Sequence, residues 1–175
     1  MARLGEPMAF EEYDITFSGV SNALGLDLLD GTPPSLQGAF ADYKVRIEAV
    51  EEPRGGRVVP LTRVVLAMPT RASAEVQVVT RSAEALFGAA GLPAVDTGNK
   101  QFEARLAMRS ANPALAQSAV IKEFQNKLSV MEEAAHLWVK GTEAGFEIVG
   151  ENPDANHWVN IVEMLGKIAD RVRKG

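Results

Sequence analysis

Residues 95–128, VDTGNKQFEARLAMRSANPALAQSAVIKEFQNKL, form the most regularly patterned part of the chain. Apolar and polar residues alternate over 102–109, and this period of two predicts a strand with one buried face. Asn112 can cap a helix, and Pro113 suits the first helical position because its missing N–H would be unpaired there. The apolar spacing over 115–128 then predicts one helix. The segment therefore predicts a turn, a strand and a capped helix in succession.

The rest of the chain predicts a run of strands followed by helices. Alternating or β-branched stretches over 43–49, 58–68 and 75–81 predict strands, and residues 137–150 predict a hairpin. Residues 154–174 carry an apolar stripe at helical spacing. This order predicts an α+β fold, in which an antiparallel sheet has helices packed on one face, including a long C-terminal amphipathic helix.

Composition bounds the size and class of the protein. A chain of 175 residues fits a single domain spanning 1–175, long enough to bury ~70% of its unfolded surface. We predict that residues 1–9 are a disordered or tag-like end. The net charge of −5 and the sequence pI of about 5.1 argue against nucleic acid as a partner, since phosphate contacts need clustered cations. We interpret the basic cluster Arg171, Arg173 and Lys174 as a helix C-terminus.

Cysteine and histidine content limits the cofactor chemistry. The chain has no cysteine and two histidines, which excludes disulfides and makes a structural zinc site an unfavourable interpretation. We therefore predict no metal site and no cofactor. The sequence shows neither a signal peptide nor an apolar stretch long enough to span a bilayer. We predict a soluble chain in the cytoplasm, with the inner face of the membrane as an alternative position.

Residues 95–121 resemble the most recognisable segment of an uncharacterised bacterial domain-of-unknown-function family. Its members share an Asp-Gly turn, a strand begun by phenylalanine, a small polar turn and a helix. The resemblance continues through Leu24-Gly25-Leu26, Leu36-Gln37-Gly38 and the run 63–69, and then to the C-terminal helix. It implies a domain that is often tethered to membranes by helices outside it, with no established activity. It also favours a helix over 10–26, where spacing alone fits either a helix or a strand.

The triplet Asp96-Thr97-Gly98 has two interpretations. Aspartic proteases use this triplet to activate water between two aspartates, and a retroviral-type protease would supply one triplet per subunit. A strong predicted helix over 112–128 does not suit such an all-β enzyme. The alternative is a turn begun by Asp96, in which Gly98 supplies the backbone freedom. We favour the turn.

Other ionisable residues carry weaker functional hypotheses. We predict that His136 lies on an edge strand and that His157 lies in the first turn of the last helix. A metal or acid–base site would require both to approach one carboxylate, such as Glu133 or Asp154. We interpret the acidic group that runs along the C-terminal part of the chain as a solvated face; its members are Glu143, Glu147, Glu151 and Asp154.

Three functions remain, from different classes. The first is a non-catalytic interaction or scaffold domain that binds a protein partner or associates with itself. The second is a carrier of a small apolar ligand in a groove between sheet and helices, for which Phe124, Trp138 and Trp158 are the candidate ligand-binding residues. The third is the protease, acting through Asp96. We favour the first, and we assign no catalytic residue.

Overall fold

A computed structural model describes residues 12–88 and 91–174, so the predicted disordered end at 1–9 lies outside the described residues. Its helices are α1 (Tyr13–Leu24), α2 (Glu84–Phe87), α3 (Lys100–Glu103), α4 (Pro113–Ala119), α5 (Lys122–Ser129) and α6 (Ala155–Lys174). Its strands are β1 (Asp27–Leu29), β2 (Ser35–Phe40), β3 (Tyr43–Arg54), β4 (Arg57–Ala67), β5 (Val76–Thr80), β6 (Leu106–Ser110), β7 (Ala135–Lys140) and β8 (Glu143–Val149).

The eight strands form one sheet in the order β1-β2-β3-β4-β8-β7-β5-β6, and every neighbouring pair is antiparallel. The longest pairing joins β3 to β4 across a turn at Gly55 and Gly56, both with positive φ, a conformation that glycine adopts without steric cost. The predicted α+β fold, with an antiparallel sheet and a long C-terminal helix, is confirmed. No helix within 12–88 or 91–174 is long and apolar enough to cross a membrane.

One face of the sheet carries the main core. Alternate strand residues such as Ile47, Val64 and Phe146 join apolar residues of α1, α4, α5 and α6 in one buried cluster. Because side chains alternate across a strand, these positions all point to the same side of the sheet. Helix α6 packs against α1 and α4 and buries a stripe that includes Trp158 and Leu165. We call this side the covered face.

Local signals fix the helix ends as the sequence predicts. Helix α1 ends at Gly25, which is left-handed with φ 69°, so the Leu-Gly-Leu triplet stops a helix and residues 13–24 are not a strand. The Asn112 side chain accepts a hydrogen bond from the Leu115 N–H, with Pro113 in the first turn of α4. The Asp154 side chain accepts from the Asn156 N–H at 3.0 Å, at the start of α6.

Two element predictions inside 95–128 are wrong. Residues 100–103 form the short helix α3, because the Asn99 side chain accepts from the Phe102 N–H and starts a helical turn; the strand begins only at Leu106. The predicted helix over 115–128 is two helices, broken at Val120, whose ψ is 77°. The side chain of Gln125 donates to the Val120 carbonyl at 2.8 Å, which satisfies an acceptor that the break would otherwise leave unpaired.

Candidate functional site

The face of the sheet opposite the core holds a groove of about 530 Å³. Its floor consists of alternate residues from β3, β4, β8, β7 and β5, and α2 and Gly88 form one wall. We call it the open-face groove; its lining residues are Arg46, Arg54, Arg63, Val65, Gln77, Ala85, Leu86, Phe87, Gly88, His136, Trp138, Lys140, Glu143 and Glu147. A smaller satellite core beneath α2 includes Phe87, Leu61 and Val79. On this side of the sheet, the described residues thus form a buried apolar cluster near α2.

Glu147 lies at the centre of the groove floor and is only 3% exposed. Strand register puts it between Arg63 on β4 and His136 on β7. Arg63 Nε donates to Glu147 Oε2 at 2.9 Å, and Arg54 Nη1 donates to Glu147 Oε1 at 3.2 Å. Burial alone would raise the pKa of Glu147, but the neighbouring His136, Arg63 and Arg54 outweigh it and lower the pKa to about 2. Glu147 is therefore a carboxylate at neutral pH.

His136 continues this row of polar residues. It is 8% exposed, and its ring lies between Phe87 and Trp138, at centroid distances of 5.4 and 5.1 Å. Its Nε2 shares a hydrogen bond of 3.1 Å with Gln77 Oε1. Its Nδ1 lies 3.6 Å from Glu147 Oε1, too far for a good hydrogen bond, and has no hydrogen-bond partner among the described residues. His136 thus keeps one ring nitrogen without a close partner in the groove floor.

Trp138 forms the flat part of the groove. It pairs across strands with Gly145, and a Cβ at Gly145 would fall 2.0 Å from the indole ring. The indole therefore occupies the space where any other residue would carry a side chain. Its Nε1 donates to Glu143 Oε2 at 2.8 Å, which fixes the direction of the ring. A partly exposed, oriented aromatic plane is a common platform for stacking or apolar contact.

A second cavity of about 350 Å³ extends the groove toward β2. It shares Arg46, Val65 and Glu143 with the open-face groove and adds Lys44. Arg46 lies 3.6 Å from Glu48 and Lys140 lies 3.8 Å from Glu75, distances between charged side-chain atoms. By contrast, Arg63 contacts Glu52 and Glu147 at 2.9 Å. The groove therefore combines a tightly paired centre with loosely paired cations toward its rim.

The three candidate ligand residues lie in different environments. Trp158 is fully buried and Phe124 is 2% exposed, both in the core of the covered face. Trp138 lines the groove on the opposite face. The structure thus separates Trp138, in a groove between the sheet and α2, from the other two, which lie beneath the helices of the covered face. Ligand binding at any of the three stays a prediction.

Two predictions about charged residues are wrong. His136 is not on an edge strand, because β7 lies between β8 and β5. Glu147 does not belong to a solvated acidic face, because cross-strand partners on both sides bury it. Charged residues are usually exposed, and the other acidic residues nearby in the sequence led us to interpret Glu147 as exposed too. Its position between Phe146 and Ile148 gave no signal of burial, because polar–apolar alternation in a strand predicts an exposed residue.

The remaining predicted residues form no joint site. Asp96 Oδ1 accepts from the Gly98 N–H at 2.9 Å, and Gly98 has φ 71°, which is the predicted turn. His157 lies in the first turn of α6, as predicted, and lines a separate cavity with Glu133. Burial lowers the pKa of His157, against the opposing charges of Glu133 and Asp154. Within the described ranges, no cluster of three or more His, Asp or Glu residues could hold a metal ion.

Comparison with known proteins places the fold. No protein-family model and no curated protein matches the chain, so the domain-of-unknown-function resemblance stays a prediction. One solved structure similar in fold is that of the mycobacterial trehalose monomycolate transport factor A, TtfA. It aligns with a TM-score of 0.51 over 93% of this chain and 94% of the other, at 12% identity. The likeness shows that the two compared chains share a fold.

Proposed function

We propose that this chain is a non-catalytic interaction domain that docks a different protein in the open-face groove. The observation that carries the proposal is the groove itself, where an oriented Trp138 adjoins a buried, ion-paired Glu147. Burying such a carboxylate is costly unless its partners are held in place. An oriented aromatic beside fixed arginines is the composition typical of protein–protein contact centres.

The chemistry of the groove suits binding better than catalysis. Glu147, with a pKa of about 2, has no proton to donate at neutral pH and is a weak base there. None of the described residues lining the groove has a hydroxyl or thiol nucleophile. The mycobacterial protein of similar fold is named a transport factor, a role compatible with a non-catalytic domain. We further propose a cytoplasmic location, since a chain without cysteine needs no oxidising compartment.

Site-specific photo-cross-linking in the cells that normally make the protein tests this proposal. Benzoylphenylalanine would replace Ala85, an exposed residue that lines the groove, or Ile15, which is 83% exposed on α1 at the covered face. We expect one defined adduct from position 85, lost when Trp138→Ala is added, and none from position 15. Equal cross-linking at both positions, no adduct at position 85, or an adduct of two copies of this chain would contradict the proposal.

A further inference from the structure

The shape of the groove limits what can fill it. The open-face groove and its extension, together called the trough, cross the sheet from Gln37 on β2 to Gln77 on β5. This distance is five strand-to-strand steps in the sheet order. At ~4.8 Å per step, the trough is about 24 Å long. An extended segment of about seven residues has this length. The trough is open along its length, so it accepts a piece of a larger molecule as well as a small one.

The charge of the rim selects the sign of the occupant. Three cations lie exposed along the trough, namely Lys44, Arg46 and Lys140. Arg46 and Lys140 have carboxylates only at 3.6 and 3.8 Å, and Lys44 has no ion pair among the described residues. This grouping occurs in a chain whose net charge is −5. Exposed, loosely paired cations favour carboxylates that arrive from outside.

The β7 part of the trough offers apolar contact, beside Lys140 on the same strand. Trp138 lies flat over Gly145, and Leu86 and Phe87 form the adjoining wall. An apolar or aromatic side chain placed here would cover the exposed part of the indole. A segment that carries an apolar residue with acidic residues on both sides would therefore match Trp138 and the cations around it, which are Lys44, Arg46 and Lys140.

The same face disfavours a uniformly anionic surface such as a lipid bilayer. Glu48, Glu52 and Glu143 alternate with the cations on this face, and they would repel a continuous sheet of phosphate groups. Trp138 is also held down by its hydrogen bond to Glu143, so it does not project as a membrane-inserting residue would. A short peptide segment can place its few carboxylates opposite Lys44 and Arg46 and avoid Glu143.

We infer that the open-face groove binds an acidic protein segment, with carboxylates at Lys44, Arg46 and Lys140 and an apolar side chain against Trp138. This inference rests on the proposed function, because it names the chemistry of the partner at the same groove. It adds that attraction between opposite charges selects the partner, so affinity falls as salt rises.

Titration with synthetic peptides tests the inference. The probes are three octapeptides with Leu-Phe at the centre, flanked on both sides by acidic, basic or uncharged polar residues. Calorimetry would measure affinity on the whole chain. In ¹⁵N-labelled protein, the indole N–H signal of Trp138 reports the groove, and that of the buried Trp158 is an internal control. We expect only the acidic peptide to bind and to shift the Trp138 signal.

Charge reversal provides the matched variants. Lys44→Glu combined with Arg46→Glu should weaken binding of the acidic peptide by about tenfold or more. Lys100→Glu combined with Lys167→Glu makes the same change in net charge at exposed residues of α3 and α6, and should change affinity by less than about twofold. Equal weakening by both pairs would overturn the inference, because it would show an effect of net charge alone.

Other outcomes separate this inference from the proposed function. Equal binding of the three peptides, or binding of anionic phosphatidylglycerol vesicles in place of the acidic peptide, would overturn the acidic-segment inference. If the position-85 cross-link persisted in that case, docking at the groove would stand and only the partner's chemistry would be wrong. If the acidic peptide were not selected and the position-85 cross-link were also absent, docking at the groove would be overturned as well.

Discussion

On the covered face of the sheet, alternate strand residues pack beneath helices that include α1, α4, α5 and α6. On the open face, other residues of the same strands form ion pairs in the floor of a groove. Each face contains one of the chain's two tryptophans. Trp158 is fully buried and donates from Nε1 to the Asn152 carbonyl at 2.7 Å. Trp138 is partly exposed and fixed by an exposed glutamate. The difference indicates that the covered face provides the stability and that the open face retains polar groups for another purpose.

The tryptophan pair gives the largest expected contrast. Trp158→Ala should lower the free energy of unfolding by about 4 kcal/mol, because it leaves a cavity in the core. Trp138→Ala should lower it by about 1 kcal/mol, because Trp138 lies at the surface and is partly exposed. Urea denaturation of both variants would measure the two values. Equal losses would show that the open face contributes to stability as the core does.

Glu147→Gln tests how much the ion pairs of the open face contribute to the free energy of unfolding. A pKa lowered from 4.5 to about 2 corresponds to about 3 kcal/mol of stabilisation at pH 7. Because the folded-state pKa is below the unfolded value, this stabilisation is present above about pH 4.5 and is lost as the pH falls toward 2. Denaturation at pH 7, 4 and 2.5 should therefore show that the difference in the free energy of unfolding between parent and variant decreases as the pH falls.

The matched variant for this experiment is Glu143→Gln, which also removes a carboxylate from the open face. Glu143 is exposed and accepts from Trp138 Nε1, so its loss should cost well under 1 kcal/mol. A difference for Glu147→Gln that stays constant down to pH 2.5 would contradict the ion-pair explanation.

Gly145→Ala tests the contact that shapes the groove. An added Cβ would meet the Trp138 ring at 2.0 Å, so the indole must move, at a cost of about 2 kcal/mol. The control is Gly166→Ala in α6, where the nearest atom would lie 3.6 Å away on Phe40. Alanine stabilises a helix interior relative to glycine by about 0.5–1 kcal/mol. Thermal or urea unfolding should show that Gly145→Ala lowers the stability and Gly166→Ala raises it. That result would sharpen the contrast between the two faces.

The sequence predicted the covered face better than the open one, and for a physical reason. Apolar periodicity reports which residues leave water, so the stripe of α6 and the cap at Asn112 could be read directly. The break at Val120 could not, because it depends on Gln125 reaching back to a carbonyl. The short helix α3 similarly depends on one side-chain cap at Asn99.

The groove was less accessible to prediction because it depends on strand order. Arg63, Glu147 and His136 come from three strands, and their contact follows from β4, β8 and β7 being neighbours. The sequence predicted the strand that contains Arg63 and a solvated Glu147, but nothing in it indicated that the two side chains meet across strands. The sequence indicated Trp138 as a candidate but not its contact with Gly145, because that contact depends on the register between β7 and β8.

Tyr13→Phe should have a smaller effect than Trp158→Ala, Glu147→Gln or Gly145→Ala, and it tests whether the covered face depends on polar contacts as well. The Tyr13 hydroxyl shares a 2.7 Å hydrogen bond with Thr62 Oγ1 and accepts from the Asn152 N–H at 2.8 Å. Losing it should cost about 1.5 kcal/mol at neutral pH. Burial, opposed by these hydrogen bonds, raises the pKa of Tyr13 from 10.0 to about 12, so its stabilising effect is present below pH 10 and is lost as the pH rises toward 12.

The phenylalanine variant lacks this alkaline loss, so the advantage of the parent should shrink between pH 10 and 12. Tyr43, whose pKa is also raised to about 12, titrates in both proteins and cancels from the difference. Urea denaturation at pH 7, 10 and 11.5 measures the effect. An advantage of the parent that does not change with pH would show that the Tyr13 hydroxyl is already exposed to solvent, and the covered face would then be less closed than its burial indicates.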